Sequence, residues 1–235
     1  MKTVILDSRT PEKCIDKLIY LGFETILLPC FPSLPDPVSA HPDMLLFFAD
    51  RKVICHKDYF KVAEKELAQI MNKGYELLLS DEAIGAKYPS DILFNALSIG
   101  SSIYCKADSI SQHILDHVKK NSMSVHNVKQ GYTKCSVCPV GDNAAITSDI
   151  PLAKVMQKNG IDVLLISSGS ITLRGYDTGF IGGSAGEVGN TVYFLGNIML
   201  HPNGAEIVDF CQKHDRSAVS LSEENLFDGG SLIFI

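Results

Sequence analysis

Cys14-Ile15-Asp16-Lys17-Leu18-Ile19-Tyr20-Leu21-Gly22 runs into Thr25-Ile26-Leu27-Leu28-Pro29. Apolar residues at helical spacing give way to a short apolar run, and Gly22 stands where the helix must stop. The same passage recurs from Leu67 through Gly74 into Leu77-Leu78-Leu79-Ser80, and from Ala153 through Gly160 into Val163-Leu164-Leu165-Ile166-Ser167. Two weaker copies, Ile114 to Val125 and Ile207 to Val219, carry Asn121 and Asp215 at the stop. Such self-similarity signals a repeat architecture.

The other half of each unit begins with a small polar cluster before an apolar strand. Asp43, Asp91, Cys135, Asp177 and Asp228 serve as anchors, and they recur at intervals of roughly fifty residues or a little less, as a repeat of strands and a helix requires. After Asp228 only Ser231 to Ile235 remain in the last strand, too little for a complete unit. The N-terminal run Thr3-Val4-Ile5-Leu6-Asp7 supplies the missing strand ahead of the Cys14 helix. The pattern therefore predicts one α/β domain over residues 1–235, built of five ββαβ-like units in a ring around a central pocket, the last unit closed by the two termini.

Composition fits a single core, with 46% hydrophobic residues in a chain of 235. The N-terminus lacks a basic and apolar signal layout, and no apolar run approaches the roughly 20 residues that span a bilayer. A cytoplasmic protein without membrane contact is expected. Seven cysteines are an odd count without a dense framework of spacings, which favours reduced thiols. The net charge of −6 argues against nucleic acid as partner and suits a small cationic ligand.

Phe31-Pro32-Ser33-Leu34-Pro35-Asp36-Pro37 reads as an extended loop leading to His41, placed to act as a flap over the pocket. Gly179 to Gly189 is glycine-rich, but it leads into the strand-like Thr191-Val192-Tyr193-Phe194-Leu195 rather than a helix. A closely packed hairpin is expected there in place of a dinucleotide loop. Cys55 and Cys105 hold matching positions at the ends of second strands, and Cys14 and Cys211 lie on helices, so these four read as core.

Cys135 and Cys138 differ, because they follow Gln130-Gly131-Tyr132-Thr133-Lys134 at the anchor end of a unit. A zinc site would need a second pair at ligand spacing, and a thioredoxin-like pair should open a helix; the sequence offers neither. No metal and no cofactor are expected. From the residues alone, buried structural thiols and a nucleophile served by a His from another unit stay open as equals.

The anchors and the ring resemble the pentein, or α/β-propeller, superfamily, which includes arginine and agmatine deiminases, amidinotransferases and dimethylarginine dimethylaminohydrolases. His41-Pro42-Asp43 looks like the His-x-Asp motif of those enzymes, Tyr176-Asp177-Thr178-Gly179 is similar to their Arg-Asp-Thr-Gly segment, and Asp228-Gly229-Gly230-Ser231 is similar to their Glu-Gly-Gly-Ser segment. Gly131 to Cys135 stands where they have a turn leading to the nucleophilic Cys. Read as a circle from Asp177, the order Asp177, Asp228, His41, Asp91, Cys135 matches theirs, so the chain would be circularly permuted relative to them. Tyr176 for Arg and Asp228 for Glu are departures.

The resemblance implies a Cys-dependent hydrolase or transferase acting on a guanidino compound. Cys135, or alternatively Cys138, would attack the guanidinium carbon and His41 would serve as general acid and base. Asp43, Asp177 and Asp228, with Asp91 in second place, would hold the planar cation. Two non-catalytic alternatives share the ring: a binding protein like the ribosome anti-association factors, and a sensor of guanidino ligands. Cys135 and His41 within a few ångströms of each other would favour the enzyme.

Overall fold

The computed structural model describes residues 2–235. Five three-stranded sheets share one plan, in which the central strand pairs antiparallel with the strand before it and parallel with the strand after it. A helix connects the two parallel strands, as a parallel pair requires a crossover. Leu46–Ala49, Lys52–His56 and Glu76–Ser80 form one such sheet, with the helices Lys57–Val62 and Glu64–Asn72 in the crossover. Leu97–Ile99, Ser102–Cys105 and Ser124–Asn127 form the next around Gln112–Lys120. Val137–Pro139, Ala144–Thr147 and Asp162–Leu165 follow, with helix Ile150–Lys158.

The glycine-rich segment forms the hairpin Ala185–Val188 with Thr191–Phe194, completed by Ser217–Ser220 after helix Gly204–Lys213. In the fifth sheet Ile233–Phe234, at one end of the chain, lies antiparallel to Thr3–Asp7, at the other, and Glu24–Leu28 runs parallel to Thr3–Asp7 after helix Glu12–Tyr20. A separate two-stranded pairing joins Ile171–Thr172 to Leu226–Phe227. Gly22, Gly74 and Gly160 end three of the crossover helices with positive φ, the conformation a helix stop demands.

The helices pack their apolar stripes on the sheets, as Leu67 and Ile70 do beside Val53 and Cys55, and Val53, Ile54 and Cys55 of the central strand Lys52–His56 are buried as a continuous run. All seven cysteines are free thiols, and only Cys30 is exposed. No helix among the described residues is long and apolar enough to cross a membrane.

What positions a site is the short turn that leads into each first strand. Asp43, Asn95, Cys135, Gly182 and Ser231 each stand two or three residues ahead of such a strand. These five positions meet. Ser231 Oγ contacts both Asp43 Oδ2, at 2.7 Å, and the Gly182 carbonyl, at 2.9 Å. Asn95 Nδ2 reaches Cys135 Sγ at 3.0 Å and the Asp43 carbonyl at 3.2 Å.

Candidate active site

His41 and Asp43 flank Pro42, which opens the one-turn helix Pro42–Leu45 and fixes its entry. Cys135 lies in the matching turn Thr133–Ser136. The Cys135 thiol donates to Asp43, with Sγ 3.2 and 3.1 Å from its two carboxylate oxygens. His41, Asp43 and Cys135 each present a donor atom within 4.8 Å of the others, and all three are buried. An N, O and S set of this kind is also what a tetrahedral zinc site uses in part.

Asp228 is buried and receives the backbone N–H of Phe180 at 2.8 Å and of Gly230 at 3.1 Å. Its Oδ1 lies 3.9 Å from His41 Nδ1, a ring nitrogen that has no hydrogen-bond partner. On the other side His41 Nε2 lies 3.8 Å from Asp7 Oδ2. Asp7 is satisfied by Arg9, whose Nε and Nη2 donate at 3.0 and 2.7 Å, while the same guanidinium holds the carbonyls of Asp36 and Pro37. Arg9 thus pins the proline-rich loop against the site.

Backbone contact here leaves no room for side chains. Gly230 has φ +69°, and a Cβ on it would lie 2.2 Å from His41 Cβ. Gly230→Ala is expected to cost at least about 2 kcal/mol, roughly 5 °C or more in melting temperature for a chain of this size. Thermal melts of the two proteins check this, and equal midpoints would contradict the packing described.

Burial is the largest cause pushing the Cys135 thiol well above its ordinary range, reinforced by Asp43 and Asp228; the Asn95 amide acts in the opposite direction. Burial likewise raises Asp228, opposed by His41 and the two backbone donors. Asn95 is well fixed for its task, since its Oδ1 accepts the Lys134 N–H at 2.9 Å. Asn95→Leu should therefore move the pH at which Cys135 alkylates further upward and slow its alkylation at neutral pH several-fold. A rate profile for iodoacetamide labelling reads this, and an unchanged or lowered profile would remove Asn95 from thiol control.

His41, Cys135 and Asp228 line a cavity of about 140 Å³ together with Tyr132, Tyr176 and Phe180. Asp91 is buried behind Tyr132 and accepts its hydroxyl at 2.5 Å; the other oxygen of Asp91 has no partner. Asp43 lies beneath, where Ser231 accepts a hydrogen bond from Lys134 Nζ at 3.1 Å. Two of the expected residues stand apart. Asp177 is exposed in the loop at the cavity mouth. Cys138, on strand Val137–Pro139, is buried in a different apolar cluster with Ile146 and Cys211, its thiol 3.5 Å from the Pro139 carbonyl. Asn95, Ser231, Tyr132, Asp7 and Arg9 are the site's neighbours that the anchors did not single out; Asn95 and Ser231 share the lead-in position of Asp43 and Cys135, which was the available signal.

The profile of a family of unknown function, DUF6873, matches residues 5–233. The chain belongs to that family. No curated protein matches the DUF6873 chain in sequence. Among solved structures, dimethylarginine dimethylaminohydrolase from Pseudomonas aeruginosa, in complex with citrulline, is similar at TM-score 0.59 and 9% identity, over 94% of this chain and 91% of that one. An amidinotransferase from Microseira wollei, of the saxitoxin biosynthetic pathway, is similar at TM-score 0.59 and 10% identity, over 94% and 88%. An agmatine deiminase from C. jejuni gives TM-score 0.56 and 9% identity, over 94% and 87%. The DUF6873 chain thus has a mixed α/β fold of the pentein kind.

Proposed function

We propose that the DUF6873 chain is a Cys-dependent hydrolase or transferase acting on a guanidino or amidino compound. In this reading the five sheets are the blades of a pentein propeller, and their lead-in turns form its catalytic axis. The observation that carries it is the meeting of Cys135, His41 and Asp43 within 4.8 Å beside a cavity. Around it Asp43, Asp91 and Asp228 are buried. A buried carboxylate is costly unless paired, and Asp228 faces only a histidine and backbone donors, so a cation entering the cavity relieves that cost.

The thiol's upward shift fits the same chemistry. Burial, Asp43 and Asp228 favour the protonated Cys135 thiol; a guanidinium against Asp228 supplies the positive charge that favours the thiolate. Cys135 Sγ then bonds to the guanidinium carbon as its proton passes to His41, His41 delivers that proton to the departing ammonia or amine as the C–N bond breaks, and a thiouronium remains on the sulfur. His41 next takes a proton from water or an acceptor amine, which attacks the same carbon and releases the thiolate. Asp228 orients His41, Asp91 acts through Tyr132, and Asp177 is left the mouth of the cavity. Cys135 is preferred over Cys138 as nucleophile because Cys138 touches none of these groups.

Release of ammonia or amine from arginine, agmatine, methylated arginines and simple guanidines tests the reading. Turnover of at least one of them is expected. No turnover and no covalent adduct across the set would favour a binding protein built on the same fold.

A further inference from the structure

The walls of the cavity restrict what it can take. At about 140 Å³ it matches the size of a hollow that accommodates benzene, roughly six heavy atoms. Beyond the reacting groups its surface is made by Val38, Tyr132, Leu173, Tyr176, Thr178 and Phe180, and neither Lys nor Arg lines it. Arg9, which holds the proline-rich loop, is already engaged by Asp7 and by the carbonyls of Asp36 and Pro37. A substrate carboxylate drawn in here would lose its water, meet no cation and face Asp228.

We infer that the substrate is a compact, carboxylate-free alkylguanidine, its planar cation against Asp228 beside Cys135 and its short apolar substituent against Val38, Leu173 and Phe180. This rests on the proposed function for the cation's place, and it adds the exclusion of amino acids and guanidino acids. The aromatic lining serves the same end, since Tyr132 and Phe180, inclined at 29° with ring centroids 6.3 Å apart, both border the cavity and offer π-systems to a flat cation.

Binding to a Cys135→Ala variant separates fit from chemistry. Calorimetry with methylguanidine and propylguanidine is expected to give dissociation constants at least tenfold below those of guanidinoacetate and arginine. Propylguanidine and guanidinoacetate are of similar length, so their difference reads the carboxylate rather than the size of the ligand. Protection of Cys135 from alkylation in the wild-type chain should give the same order, which keeps the test valid if the variant does not fold. Arginine or guanidinoacetate binding as tightly as the alkylguanidines would overturn the inference, and so would failure of every alkylguanidine to bind. Turnover by the wild-type chain decides the catalytic reading separately: binding in the expected order without turnover leaves the ligand class standing and removes the enzyme.

Discussion

Cys135→Ser is expected to lower kcat on a guanidino substrate by about 10⁴-fold or more, the scale on which removal of a covalent nucleophile acts, while Cys138→Ser leaves it within a few-fold. The contrast follows from surroundings. Cys135 Sγ contacts Asp43 and Asn95 and borders the cavity with His41. Cys138 faces the cluster of Ile146, Val192 and Phe194 on the far side of its strand. Serine at position 135 keeps the hydrogen bond to Asp43, so the folded state should persist, and circular dichroism with the melting temperature confirms that the loss is chemical. An equal loss in both variants, or a larger one in Cys138→Ser, would transfer the nucleophile.

Alkaline pH should unfold the chain steeply. Burial raises the thiols of Cys14, Cys135 and Cys138, and it lifts Cys55 and Cys211 to about 12 and Cys105 to about 11. An unfolded thiol titrates near 8.5, so between that value and the native ones the folded state holds protons that the unfolded state has released. Stability is therefore fully present below about pH 8.5 and is lost as pH rises towards the native values. At pH 10 each of Cys55, Cys105, Cys135, Cys138 and Cys211 costs about 2 kcal/mol, which sums to on the order of 10 kcal/mol, comparable with the whole stability of a domain. Urea melts in reducing buffer between pH 7 and pH 10 should show the midpoint collapsing above pH 9. A flat profile to pH 10 would contradict the burial of these thiols.

The repeat was legible because each unit writes its helix and its parallel strand as two different periodicities separated by Gly, Asn or Asp. The pairing of Thr3–Asp7 with Ile233–Phe234 followed from the incomplete last unit. The glycine-rich hairpin was legible for the same reason: a strand, not a helix, comes next. Among the candidate residues that a motif singled out, His41, Asp43 and Cys135 come within 4.8 Å of one another, and Asp228 lies 3.9 Å from His41.

The acidic residue is what each unit shows in sequence, whereas the geometry marks each lead-in position by its distance from the first strand. By that measure Asn95 takes the central position that Asp91 was assigned, Ser231 lies closer in than Asp228, and Gly182 replaces Asp177, which is left exposed in the preceding loop. Polar residues in turns read as ordinary caps in sequence. Asp7 and Arg9 were hidden differently, since a strand's last residue and the next loop's first cation give no sign that they will pair beneath a histidine.

The central claim is a covalent bond between Cys135 and the guanidinium carbon. Acid quench during turnover of methylguanidine, followed by intact-mass measurement and peptide mapping, reads it directly. The expected result is a chain heavier by the substrate less its departing amine or ammonia, with the added mass on the peptide that contains Cys135. Steady turnover with no added mass at Cys135, or the mass found on Cys138, would contradict it.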